Sequence, residues 1–166
     1  MKRALGSAGI PAVREPRDLS RTDGKRPDGK TLRPWAQGKA LVWDVTVVDT
    51  LAQSYVNASS RSAGAAAKLA EERKMTTYAN LVERYQFVPL AFETFGTWGE
   101  DATITLSEIG KKIQHNTGDP RALEFLRQKI SVELQRGNAA SVLGTLPEQE
   151  TLSSVFRCYS RTVSDN

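Results

Sequence analysis

The stretch Ala40-Leu41-Val42-Trp43-Asp44-Val45-Thr46-Val47-Val48 constrains the fold of this chain more than any other. It is β-branched and aromatic, and nearly continuous in apolar character. A strand of this kind is covered on both faces, as at the centre of an α/β sheet. Before it, Pro34 to Lys39 reads as a turn and Arg26 to Leu32 as a short strand, so the pair forms a hairpin. A helix rich in Ala, Glu, Lys and Leu is predicted from about Ser62 to Tyr85. The next strand runs from Gln86 to Glu93, where Pro89 removes a ladder donor and places it at an edge or a bulge. Gly96-Thr97-Trp98-Gly99 turns the chain into a helix from about Asp101 to Gln114. Asp119 as N-cap and Pro120 at the first helical position open the last helix, with Leu123, Leu126, Ile130 and Leu134 as its apolar stripe. Gly137-Asn138 is predicted to break or kink that helix before Ala139 to Leu143. The order β-β-α-β-α-α predicts an α/β sandwich over residues 26–146.

The 166 residues leave room for one domain with one core. Residues 1–25 lack apolar periodicity and read as a flexible basic arm, and 147–166 as a polar tail in which only Val155, Phe156 and Tyr159 can pack. The first 33 residues hold nine Lys/Arg against four acids, while the remainder is close to neutral. A basic arm on a near-neutral domain suits a polyanion such as nucleic acid. A solubilising tail fits the charge equally well. No apolar run approaches the roughly 20 residues of a membrane helix, and the opening Met1 to Gly6 lacks the apolar core of a secretory signal. The single cysteine, Cys158, permits no internal disulfide and no cysteine-built zinc site, so an intracellular compartment is expected.

Two carboxylates stand at informative places. Asp28 follows Pro27 at the start of the hairpin, and Asp44 interrupts the most hydrophobic strand. Side chains alternate along a strand, so Val42, Asp44, Thr46 and Val48 share one face. An ionised carboxylate on a covered face is costly unless a cation compensates it. The hairpin carries Asp28 beside Asp44, and with the Val45 carbonyl the two acids form a hard oxygen set suited to Mg²⁺. One Asp capping a turn and the other salt-bridged inside is the competing reading. On the helix, Ala63, Ala67, Ala70, Lys74, Tyr78 and Leu81 form one continuous face, the small apolar one that should press on the sheet. Lys74 lies in its middle with Glu71 on the flank, whereas Lys68 points well away. A lysine there either snorkels past the sheet edge or aims at the carboxylates.

Arg26-Pro27-Asp28, Asp44-Val45-Thr46 on a hydrophobic strand, and a helix with Glu71-x-x-Lys74-x-x-x-Tyr78 resemble the restriction-like endonuclease domain of non-LTR retrotransposons, a branch of the PD-(D/E)XK nuclease superfamily. The segments Phe87 to Gly96 and Gln135 to Gly144 are also similar to retroelement-encoded copies. The resemblance implies a restriction-endonuclease-like sandwich, a central mixed β-sheet flanked by helices. It further implies a Mg²⁺- or Mn²⁺-dependent endonuclease that nicks target DNA. Asp28, Asp44 and the Val45 carbonyl would bind the metal, and Lys74 would supply the catalytic lysine that many relatives carry at the Thr46 position. Thr46, Glu71 and Tyr78 would support the site, and Lys25, Arg26, Lys30 and Arg33 would hold the DNA backbone. Implied partners are DNA, retroelement RNA and a reverse transcriptase of the parent polyprotein, and the implied compartment is the nucleus. The pattern departs at Thr77, where relatives often have a second lysine. The reverse transcriptase and zinc knuckle usual upstream are absent from these residues, which suggests an excised, truncated or domesticated copy, or an inactive remnant that still binds nucleic acid. A non-enzymatic interaction module is the alternative from another class.

His115, the only histidine, is read as capping the end of its helix, where the dipole favours it. Trp35, Trp43 and Trp98 are read as packing residues. Cys158 has no base near it in sequence and is not a candidate nucleophile.

Overall fold

A computed structural model describes residues 1–20 and 24–145. In chain order it contains α1 (Lys2–Ser7), β1 (Ala12–Arg14), a 3-10 turn at Arg17–Leu19, β2 (Gly29–Ala36), β3 (Lys39–Val48), the one-turn α2 (Val56–Ser59) and α3 (Ala65–Thr77). A second 3-10 turn at Ala79–Leu81 precedes β4 (Gln86–Glu93), α4 (Glu100–Thr117) and α5 (Ala122–Thr145). The strands form one sheet in the order β1-β2-β3-β4. The first two pairings are antiparallel and β3 runs parallel to β4.

Helices cover both faces of this mixed sheet, so the chain is an α/β sandwich. On one face α3 packs Ala66, Ala67 and Ala70 against Val48 and Ala91. The turn after it adds Tyr78 and Leu81 to Val42 and Phe87. On the other face α1, α4 and α5 bury Leu5, Leu106, Ile109, Leu126 and Leu134 against Leu41, Trp43, Leu90 and Phe92. The central strand is therefore covered on both sides through Asp44. Beyond it Val45 and Val47 are exposed, since β2 begins only opposite Trp43.

The hairpin closes more tightly than the turn expected over Pro34 to Lys39. Ala36 pairs directly with Lys39, and Gln37 and Gly38 both take positive φ, 50° and 74°. Two left-handed residues are what a two-residue hairpin turn requires. Pro34 falls at a register shift in β2. Next to it the Leu41 N–H donates to the buried Thr31 hydroxyl at 3.0 Å. Pro89 sits as expected on an edge strand, β4.

Four expectations are corrected. Residues 2–19 are not a loose arm: α1 lies on the core, β1 pairs with β2, and Leu5 and Leu19 are buried. The helix predicted over 62–85 is α3 alone, ending where Tyr78 leaves helical geometry (φ −111°) and turns into the core. The helix α5 runs unbroken through Gly137, where Asn138 anchors it by donating Nδ2–H to the Thr94 carbonyl at 2.7 Å. A helical glycine costs only about 1 kcal/mol, too little to end a helix so anchored. The start of α5 also falls later than predicted, with Asp119 accepting the Arg121 N–H in the turn before it (2.9 Å). Residues 146–166, including Cys158 and the expected tail, lie outside the described residues.

Gly29 joins the fold to the chemistry, because it directly follows Asp28 and lies against the Trp43 ring. A Cβ there would overlap the indole. Gly29→Ala is expected to cost about 1–3 kcal/mol by overpacking, read as a lower urea midpoint with an unchanged m-value. Gly38→Ala keeps open space around its Cβ and pays only for its left-handed backbone, about 1 kcal/mol.

Candidate functional site

Asp44 projects from the middle of β3 toward α3 and is 5% exposed. Its Oδ2 meets the Lys74 ammonium at 2.6 Å, and the Tyr78 hydroxyl donates to its Oδ1 at 3.4 Å. Lys74 comes from the last turn of α3 and Tyr78 from the residue that ends it, continuing the stripe that buries Ala67 and Ala70. The stripe thus delivers a cation and a phenol to the one carboxylate on the opposing strand face. Ala63, at its far end, is exposed and precedes the helix.

Asp28 arrives from the β2 side. Its Oδ2 accepts the Val45 N–H at 2.6 Å, which satisfies a backbone donor on β3 just past the end of β2. Asp28 is close enough to Asp44 to act on its titration. The Asp44 carboxyl is pushed above the ordinary aspartate value, chiefly by burial, with the Asp28 charge adding to the shift and Lys74 and Tyr78 opposing it. Thr46 is half-buried one step along the same strand face.

The structure therefore brings together Asp28, Asp44, Lys74 and Tyr78. Glu71 is committed elsewhere: its buried carboxylate accepts the Ala102 N–H at 3.3 Å. It serves as a cap for α4, whose own N-cap, Gly99, has no side chain. A Cβ at Gly99 would overlap that carboxylate. Burial raises the Glu71 pKa, partly offset by the amides of Ala102, Asp101 and Ala91. Glu71→Ala leaves helix donors without a partner and is expected to destabilise by about 1–2 kcal/mol. Glu71→Gln keeps an acceptor and should recover most of that, as read by thermal unfolding at neutral pH.

Glu93, at the end of β4, is a buried support for α3 that the sequence motif does not single out. Buried at 2% exposure, it accepts the Ala66 and Ala67 N–H groups at 3.0 and 3.2 Å. It thereby fixes the N-terminus of the helix that carries Lys74. The signal that singles out Asp44, a carboxylate in an apolar strand, is equally present in Phe87 to Glu93.

Among the four expected backbone-binding cations, Arg26 and Lys30 form ion pairs within the chain. Arg26 pairs with Glu15, and Lys30 pairs with Asp18 and lies 5.8 Å from the centre of the Tyr85 ring. Lys25 and Arg33 are exposed. His115 lies in the last turn of α4, but Gly118 makes the cap in left-handed geometry, its N–H donating to the Gln114 carbonyl. Trp43 is core, Trp98 stacks edge-on against Phe92 at 5.5 Å, and Trp35 packs on the core.

No group of three or more His, Cys, Asp or Glu side chains gathers at one point among the described residues. A hard cation at Asp44 thus depends on two carboxylates supplemented by backbone carbonyl and water oxygens, an ordinary set for Mg²⁺. Asp44 Oδ2 is buried and already faces the Lys74 ammonium at 2.6 Å, so an ion there would share that oxygen with the lysine or displace it. No helix of the described residues is long and apolar enough to cross a membrane. No protein-family model matches the chain, and no curated protein matches it.

Proposed function

We propose that the chain is a metal-dependent DNA endonuclease domain of the PD-(D/E)XK type, derived from a retroelement and acting on nuclear DNA. The observation that carries the reading is the convergence of Asp44 and Lys74 at 2.6 Å, with Asp28 beside them from the residue that leads into β2. Asp28, Asp44 and the Val45 carbonyl would hold Mg²⁺ or Mn²⁺. When bound, that ion supplies an acidified water and positive charge against the scissile phosphate.

The chain's own groups do the rest. Burial of Asp44 keeps its carboxylate in a weakly screened setting, where its interactions are stronger than in water. Tyr78 holds the carboxylate's orientation. Lys74 is half-buried, so its ammonium can turn from Asp44 toward the phosphate oxygens, where negative charge builds as the bond breaks. Lys25, Arg26, Lys30 and Arg33 supply sequence-independent backbone contacts, once Arg26 and Lys30 exchange Glu15 and Asp18 for phosphates.

Nicking of supercoiled plasmid in Mg²⁺ or Mn²⁺, and none in EDTA, is the expected result. The rival is a chain of the same fold that binds without cutting, or an interaction module that does neither. It is favoured by the same ion pair, since Lys74 and Asp44 already satisfy each other's charge. A wild type that retards DNA in a gel and never cuts supports the first rival. Absence of DNA affinity at low salt supports the second.

A further inference from the structure

A second charged surface lies on the side of the sheet away from Asp44. Asp44 shares the α3 face of β3, whereas α4 packs over Leu41, Trp43 and Leu90 on the other face. At the C-terminal end of α4, Lys111, Lys112 and His115 line an open concavity of about 380 Å³ with Ala8 and Ile10. Asn116 completes the rim and donates Nδ2–H to the Ser7 carbonyl at 3.0 Å, which fixes the end of α1 against α4. The Lys112 ammonium stands 4.8 Å from the centre of the Trp35 ring. Both lysines are exposed, and no ion pair among the described residues holds either of them.

Residues 1–14, which supply the wall residues Ala8 and Ile10, hold Lys2, Arg3 and Arg14 and no acid, while along α4 the exposed Glu108 stands one turn before both lysines and offsets part of their charge. The helix dipole accounts for cations in a last turn. It does not account for a concavity walled by a second element, nor for a lysine held over an indole. Two exposed lysines on one fixed concave surface suit a polyanion. Trp35 has Lys112 over its ring and also packs on the core, so the contact is to phosphates and not by base stacking.

We propose that this concavity is a nucleic-acid-binding site in its own right, holding a sugar–phosphate backbone through Lys111 and Lys112 on the face opposite Asp44. The site does not depend on cutting, so it goes beyond the nuclease reading and can survive its failure.

The test is fluorescence anisotropy of the whole chain in EDTA, with a short labelled duplex and the matching single strand as separate probes. The variant K111E/K112E is expected to bind at least one of them at least tenfold more weakly. For the duplex, its log–log salt dependence should be shallower by about 1.8, from about 0.9 per lost phosphate contact. K111Q/K112Q, which makes the smaller charge change, should show the same direction. R127E/R136E alters charge equally on the outer surface of α5 and should change neither affinity by more than about twofold. Thermal midpoints of all variants should stay within a few degrees of wild type, because the contacts they lose, Lys112 over Trp35 and Arg136 with Glu133, are surface ones. Equal weakening by R127E/R136E overturns the proposal, since only net charge would then matter. So does unchanged binding of both probes by K111E/K112E, or wild-type binding to phosphatidylserine vesicles without binding to either probe. Binding through α4 with no nicking in Mg²⁺ leaves this site standing and ends the nuclease reading. Nicking with unaltered affinity in K111E/K112E does the reverse.

Discussion

Asp44→Asn is expected to abolish divalent-dependent nicking, lowering the rate by about a thousandfold or more, roughly 4 kcal/mol of transition-state stabilisation. The fold should persist. Asp44 is buried as a carboxylate and its pKa is raised, so the folded state holds its proton more tightly than the unfolded chain does. Such a group weakens the fold at pH values above its folded pKa, and the penalty disappears as the pH falls through that pKa toward the unfolded value. The amide removes the penalty at neutral pH, and Lys74, already half-buried, can turn its ammonium to water. Asp44→Asn should therefore be as stable as wild type at pH 7, or slightly more so, while inactive. Lys74→Ala should lose about a hundredfold or more in rate and drive the Asp44 pKa higher still, because it removes the largest effect opposing desolvation. Its remaining activity should consequently fall off at a higher pH than that of wild type. Tyr78→Phe removes only a 3.4 Å hydrogen bond and should cost about tenfold at most. An Asp44→Asn protein that still nicks plasmid would end the assignment. One that is inactive only because it is unfolded, as read by near-UV circular dichroism, would favour a structural ion pair instead.

The parts of the fold that could be read from sequence are those where one residue's chemistry admits few environments. Asp44 in an apolar strand and Lys74 on an alanine stripe each demand a partner, and they meet one another. Pro89 forbids a central strand, and β4 is an edge. The failures have the opposite character. In α1 only Leu5 is buried and β1 spans three residues, too few for either periodicity to register. Glu71 stands on the flank of the Lys74 stripe, and its position there suggests a place in the site. Its destination depends on Gly99, whose missing side chain leaves room for a carboxylate from another helix, and nothing local announces that pairing. The unbroken course of α5 depends on Asn138 reaching Thr94, a contact 44 residues apart.

Leu5→Ala is expected to destabilise the protein by about 2–5 kcal/mol, although Leu5 lies in a segment whose composition suggests a solvated arm. Its side chain is fully buried, in the cluster that contains Trp43, Leu106, Ile109 and Leu126. Around it Met1, Ala4, Ile10 and Ala12 pack on the same cluster, so a cavity there has few neighbours free to collapse into it. The consequence reaches the site through the sheet. β1 pairs with β2 from Ala12↔Thr31 to Arg14↔Gly29, and the Glu15 N–H donates to the Asp28 carbonyl at 2.9 Å. Loosening α1 therefore loosens the edge that holds Asp28. The expected measurement is a lower urea midpoint with an unchanged m-value. Hydrogen exchange should be faster at the β1–β2 amides than at Val88 to Phe92 on the far strand. An arm that merely solubilises the domain predicts no change in either quantity. An unfolding free energy within about 0.5 kcal/mol of wild type, the range of ordinary surface substitutions, would return residues 2–19 to that role.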